Sequence, residues 1–82
     1  MSGLRVDMPA EPARATLVFD TTTAALWAEE VARDAGVVAE IVPAPADSAA
    51  KCDLALETMA AHIEALEAVL VAQGVPFRRW PG

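Results

Sequence analysis

The sequence has few of the side chains from which catalytic and metal sites are built. It contains one cysteine, one histidine and no tyrosine. A single cysteine forms no internal disulfide, which suits a reducing compartment, and together with one histidine it falls short of a structural zinc site. General acid–base catalysis needs a positioned histidine or paired carboxylates in a pocket. We therefore expect no metal, no cofactor and no self-contained enzyme.

Basic residues and long apolar runs are scarce as well. Six lysines and arginines stand against twelve acidic residues, which gives a net charge of −6. This balance argues against nucleic acid, whose phosphates need a basic surface, and disfavours anionic membranes. No apolar run approaches the ~20 residues of a spanning helix, and the first residues carry charges and prolines where a signal peptide has an apolar core. We expect a cytoplasmic protein that binds neither nucleic acid nor membrane.

The remaining features predict one small domain preceded by an arm. Residues 1–14 are expected to be flexible, because Pro9 and Pro12 interrupt regular pairing. Residues 15–82 suffice for a single domain. Hydrophobic spacing predicts six elements there. They are a strand over 15–20, a helix over 24–35, strands over 37–42 and 52–57, a helix running to about 73, and a strand over 75–80.

Capping and turn residues mark the ends of these elements. The threonines at 21–23 supply hydroxyls that cap the first helix, and Thr58 is predicted to cap the second. Gly36 and Gly74 end the two helices. Pro43 is expected to stop the second strand.

The order of elements predicts an α+β fold of the ferredoxin-like βαββαβ type, a four-stranded antiparallel sheet with two helices on one face. The second and fourth strands lie at the edges of that topology, and Pro76 fits an edge because it cannot donate to a ladder. Val18, Val42 and Trp80 share the open face of the sheet, where an apolar surface favours self-association or a partner protein. Local packing of Trp80 over the sheet edge explains that residue equally well. Leu26 falls among acidic residues and is predicted to be exposed.

Cys52 is the one good nucleophile in the chain. It follows a long connection over 43–51 that has no hydrophobic period, and loops of this length in small domains are often functional. The alternative is a small core residue on the same face as Leu54, because free cysteine is among the most buried residue types. His62 is predicted on the inward face of the second helix, where a satisfied boundary histidine is commoner than a catalytic partner for a thiol.

Several short motifs follow one another between Thr16 and Trp80. In chain order they are the strand ending at Phe19, then Thr21, Thr22 and Thr23, the helix start Ala25-Leu26-x-Ala28-Glu29, Gly36, Pro43-x-Pro45, Ser48, Cys52, Leu54-x-Leu56 and a second amphipathic helix. In this order and spacing they resemble the selenium/sulfur carrier protein-like family, a group of small bacterial domains.

The resemblance implies a small thiol protein that holds sulfur or selenium on Cys52 and passes it to or from a protein partner. The connection that contains Pro43, Pro45 and Ser48 would present the thiol. The threonines at 21–23 and Glu29 would be its neighbours.

Two positions depart from the family pattern. Members usually have glycine after the cysteine, where this chain has Asp53, and often arginine after the second proline, where it has Ala46. Asp53 restricts the backbone and adds negative charge beside the thiol, and Ala46 removes a cation. These departures favour a second hypothesis, a non-catalytic accessory subunit or interaction module of a larger enzyme complex. Such a module would keep the fold without the cysteine chemistry and bind through Leu26, Val42 and Trp80.

Overall fold

The computed structural model describes residues 13–48 and 50–81, so most of the predicted arm lies outside the described residues. The elements are β1 (Arg14–Val18), α1 (Thr22–Asp34), β2 (Ala39–Pro43), β3 (Leu54–Met59), a 3₁₀ turn (Ala60–His62), α2 (Ile63–Gln73) and β4 (Arg78–Trp80). Their order is the predicted one. No helix within these two ranges is long and apolar enough to cross a membrane.

All strand pairs are antiparallel, and the strands lie in the order β2-β3-β1-β4. Both helices pack against the same face of this sheet, so the predicted ferredoxin-like fold is confirmed. The edges are β2 and β4, as expected. β2 ends at Pro43 itself, which still pairs with Leu54, rather than at the residue before it. An edge strand accepts proline because one side of its backbone needs no ladder bond.

The core between sheet and helices depends on small side chains in α1. Ala25 and Ala28 have no exposed surface, and Ala24 and Ala32 are nearly as buried. Alanine projects little from the backbone, so α1 lies close to the strands and larger side chains fill the remaining space. The largest fully buried side chains come from the sheet, from the residue that follows β1, and from α2. They are Phe19, Leu17, Leu56, Leu66, Leu70 and Val18.

The N-cap of α1 and the glycines that end both helices are as predicted. Thr21 is the N-cap of α1, and its Oγ1 accepts a hydrogen bond from the Ala24 amide at 3.0 Å. Gly36 and Gly74 have φ of 77° and 79°, which only glycine adopts without strain. The Val75 amide donates back to Leu70 O at 3.0 Å, closing the end of α2.

The boundary between β3 and α2 differs from prediction. Thr58 does not cap a helix. It belongs to β3, is buried, and donates from Oγ1 to the Val38 carbonyl at 2.8 Å. The alternation of inward residues through Leu54 and Leu56 simply continues to Thr58, a β-branched residue suited to strands. Because α2 starts later, His62 lies in the 3₁₀ turn and is exposed, which corrects its predicted inward position.

The open face of the sheet is less apolar than expected. The strand register does place Val18, Val42 and Trp80 on this face. However, charged residues alternate with them, and Val18 is fully buried rather than available to a partner. Two ion pairs lie on or beside this face, Arg14–Glu57 at 3.3 Å and Arg78–Asp20 at 3.0 Å.

The edge strand β4 is tied to the helix layer by one ion pair. Arg79 lies opposite Leu17 on the helix side of the sheet, and its Nη2 donates to Glu67 Oε1 at 2.8 Å while its Nε donates to Oε2. This two-point hydrogen bond lowers the pKa of the Glu67 carboxyl, and partial burial opposes it.

We expect Glu67→Gln to lower the Tm of the protein by about 3 °C at neutral pH. Because the Glu67 pKa is lower in the folded protein than the unfolded value of 4.5, the ionised Glu67 carboxyl stabilises the fold at pH values above 4.5. That contribution disappears as the pH falls through the folded-state value. Thermal melts of both proteins should therefore differ at pH 7 and converge as the pH falls from 4.5 through the lower folded-state pKa. A gap that persists in acid would mean that Glu67 acts through packing.

We expect Thr58→Val to lower the free energy of unfolding by about 1 kcal/mol, because it removes the buried donor to Val38 O while keeping the side-chain shape. Urea melts measure this difference. Thr16→Val on the open face of β1 is the matched control and should change stability by less than about 0.5 kcal/mol. Equal effects of the two substitutions would show that the hydrogen bond contributes nothing.

Candidate functional site

The connection between β2 and β3 is a closed loop of which residues 44–48 and 50–53 are described. The Ala44 amide donates to the Asp53 carbonyl at 2.8 Å, which extends the strand ladder by one pair and joins the two ends of the loop. Next comes a turn in which the Ser48 amide donates to Pro45 O at 3.1 Å. Ser48 is buried, and its Oγ accepts from the Ala50 amide at 3.2 Å. These bonds define the path of the loop residues that the structure describes, 44–48 and 50–53.

Cys52 lies at the anchored end of this loop, one residue before the Ala44–Asp53 hydrogen bond. Its side chain is only 4% exposed and belongs to the hydrophobic core. The Leu54 amide donates to Sγ at 3.2 Å. Thr22 Oγ1 lies 3.7 Å from Sγ, and either group can donate. The thiol is therefore a buried core residue that also has two polar contacts.

The thiol faces the amino end of α1. Thr22 is the first residue of the helix, directly after the N-cap Thr21, and Thr23 follows it on an exposed position. The amino end of a helix carries partial positive charge and unpaired amide groups. Of the three threonines predicted as neighbours, the structure brings Thr22 into contact with the sulfur.

The other predicted neighbours lie at different places. Glu29 is seven residues along α1 from Thr22, about 10 Å away, and pairs with Arg33 at 3.6 Å. Pro43 ends β2, and Pro45 contributes its carbonyl to the turn before Ser48. None of the side-chain contacts among the described residues joins Glu29 to the thiol.

The predicted partner-binding residues lie on two opposite sides. Leu26 is 48% exposed on α1, as expected. Val42 and Trp80 lie on the open face of the sheet and are half-buried. Trp80 lines a cleft of about 350 Å³ with Val18 and with Asp47 and Ser48 of the loop. The structure does not combine these three residues into one surface.

The comparisons with known proteins give one match. A family model described as "Putative Se/S carrier protein-like" matches residues 14–80. The chain belongs to this family. No curated protein and no solved structure matches the chain significantly. The match begins at the first residue of β1 and ends at the last residue of β4, so it spans the whole described sheet.

Both positions expected to depart from the family pattern, Ala46 and Asp53, lie in the loop. Ala46 is exposed within the Pro45–Ser48 turn. Asp53 has an exposed side chain, and its main-chain carbonyl is the acceptor that closes the loop. Within residues 13–48 and 50–81, no cluster of three histidine, cysteine or acidic side chains is placed to hold a metal.

Two features of the site have no signal in the sequence. One is the Leu54 amide as a donor to the sulfur, because any residue supplies an amide. The other is the contact between Thr22 and Cys52, which are thirty residues apart. The family resemblance predicts the threonines at 21–23 as neighbours of the thiol, whereas their position in the sequence alone predicts only a helix cap.

Burial predicts a slow reaction of the native thiol. We expect Cys52 to react with a small disulfide reagent at least about tenfold more slowly in the folded protein than in denaturant, because attack requires local opening. Absorbance of the released thiol gives both rates.

The control for this reaction is Ala46→Cys in a Cys52→Ala background, which places a thiol on an exposed position of the same loop. That thiol should react in the folded protein at close to its unfolded rate. If native Cys52 reacts as fast as this control, the thiol is accessible and the loop does not shield it.

Proposed function

We propose that this protein is a sulfur or selenium carrier that holds one atom of the element on Cys52. The observation that carries the proposal is the position of the chain's single cysteine, at the amino end of α1 beside Thr22, in a member of the Se/S carrier-like family. The proposed role is transport between proteins and involves no turnover of a substrate by the chain itself.

The chemistry of loading is thiol–disulfide exchange. The thiolate of Cys52 attacks the terminal sulfur of a persulfide on a donor protein, a new S–S bond forms, and the donor's own S–S bond breaks. The donor leaves as a thiolate and Cys52 becomes a persulfide, so the step needs no outside oxidant or reductant. Delivery to an acceptor thiol repeats this exchange in the opposite sense.

The surroundings of Cys52 suit a bound anion. A persulfide anion at this position would lie against the positive end of α1. The Thr22 hydroxyl and the Leu54 amide are both close enough to donate a hydrogen bond to sulfur. A single cysteine also means that no second thiol of this chain can displace the cargo as a disulfide.

Loading requires local opening around Cys52, because Cys52 is only 4% exposed and is packed in the core. The thiol lies next to the Ala44–Asp53 hydrogen bond that joins the two ends of the loop, whereas residues 45–48 form a turn farther along the loop. A donor protein would reach the sulfur by local opening where the segment around Cys52 meets Thr22, at the start of α1. Local opening of a surface loop costs far less free energy than global unfolding.

Burial of the thiol also favours a second function. A cysteine packed in the core, followed by Asp53 rather than glycine, is consistent with an interaction module that keeps the family fold without its cysteine chemistry. In this alternative the protein would be an accessory subunit of a larger enzyme.

The carrier proposal predicts the mass of the protein after exposure to a cysteine desulfurase and cysteine. We expect the native chain to gain the mass of one sulfur atom by intact mass spectrometry, and the gain to disappear on treatment with a thiol reductant. The Cys52→Ala variant should gain nothing, and its circular dichroism should show that it remains folded. An unmodified native protein with its thiol still free would reject the carrier function and favour the accessory subunit.

A further inference from the structure

A groove of about 490 Å³ runs between α1 and α2, on the side of the helix layer away from the sheet. Its wall includes three larger apolar side chains, Trp27 and Val31 from α1 and Val69 from α2. Trp27 is 42% exposed. Exposed large apolar side chains around a groove are typical of binding surfaces.

The rim of the groove carries uncompensated acidic charge. Glu30 and Asp34 both line it and lie one turn apart on α1. Like charges at this spacing repel each other. Within residues 13–48 and 50–81, the ion pairs engage other acids, including Glu29 with Arg33 and Glu67 with Arg79, and none engages Glu30 or Asp34. The groove therefore combines larger apolar side chains with a negative edge.

We propose that this groove binds an amphipathic, basic helix of a partner protein. Apolar residues of that helix would pack against Trp27, Val31 and Val69, and its lysines or arginines would lie over Glu30 and Asp34. Two adjacent antiparallel helices leave a furrow that a third helix fills, which is a recurrent mode of peptide recognition. This docking function is independent of the cysteine chemistry proposed above.

Charge argues against two other occupants of the groove. A second copy of this chain would bring its own Glu30 and Asp34 toward the same two acids across a symmetric interface. Residues 1–12 contain one arginine and two acids, so they carry no excess of positive charge to offer. A basic partner protein is the occupant that complements the rim.

The groove extends along α1 from Trp27 to Ala35, whereas the thiol lies beside Thr22 at the amino end of the helix. Thr22 beside Cys52 and Asp34 on the rim are separated by twelve residues, about 18 Å along the helix. A partner docked over the rim formed by Glu30 and Asp34 lies away from Cys52. The same partner, or another one, can then reach the thiol.

The test uses a synthetic helical peptide with leucines on one face and lysines on the other, added to the full chain. A peptide with glutamate in place of every lysine is its matched control. We expect the lysine peptide to shift the amide resonances of the groove, including Val31, Val69 and Gln73, and the glutamate peptide to shift none. Titration calorimetry gives the dissociation constant for each protein variant.

Two double variants separate specific docking from general attraction to an acidic protein. Glu30→Gln with Asp34→Asn should weaken binding about fivefold. Glu40→Gln with Asp47→Asn removes the same charge from positions outside the groove and should weaken it less than about twofold. Trp27→Ala should weaken binding about tenfold or more through lost apolar contact.

Three outcomes would overturn the proposal. Equal weakening by the two double variants would mean nonspecific attraction. Resonance shifts at Val42 and Trp80 in place of the groove would assign binding to the open sheet face. Shifts of groove resonances that depend on protein concentration without peptide would make a second copy of the chain the occupant.

Discussion

Close approach of α1 to the sheet is the constraint on which the rest of the structure depends. It requires the alanines at 24, 25, 28 and 32, because larger side chains would lift the helix away from the strands. With α1 in this position, its first residue Thr22 lies against Cys52, and its outer surface forms one wall of the groove toward α2. Substitution of Ala25 or Ala28 by a larger residue would therefore disturb both surfaces as well as the core.

The fold could be predicted because its signals are local. Alternating apolar residues mark strands, Gly36 and Gly74 end helices at positive φ, and Pro76 indicates an edge. The boundary between β3 and α2 could not be predicted, because Thr58 suits both a strand and a helix cap. Its hydrogen bond to Val38 O, twenty residues away, decides in favour of the strand. That one choice moves His62 from the predicted inward face to an exposed turn.

The candidate site was predictable only in part, for a related reason. The sequence identifies Cys52 as the one thiol, and the family pattern identifies the threonines beside it. Whether the thiol is exposed depends on how the end of the loop packs against the start of α1, which a loop sequence without hydrophobic period does not encode. The groove was harder still to predict. It exists only when α1 and α2 are adjacent, and Trp27 by itself looks like the edge of a buried face.

The hydrogen bond between Ala44 and Asp53 has a consequence for how such proteins can diverge. It closes a ring whose two ends are fixed by the sheet, and Cys52 sits next to the closure rather than at the outer turn. Insertions or deletions around positions 45–48 would lengthen or shorten the ring while the sulfur stays where the sheet holds it. A change in loop length would thereby leave the position of the thiol unchanged.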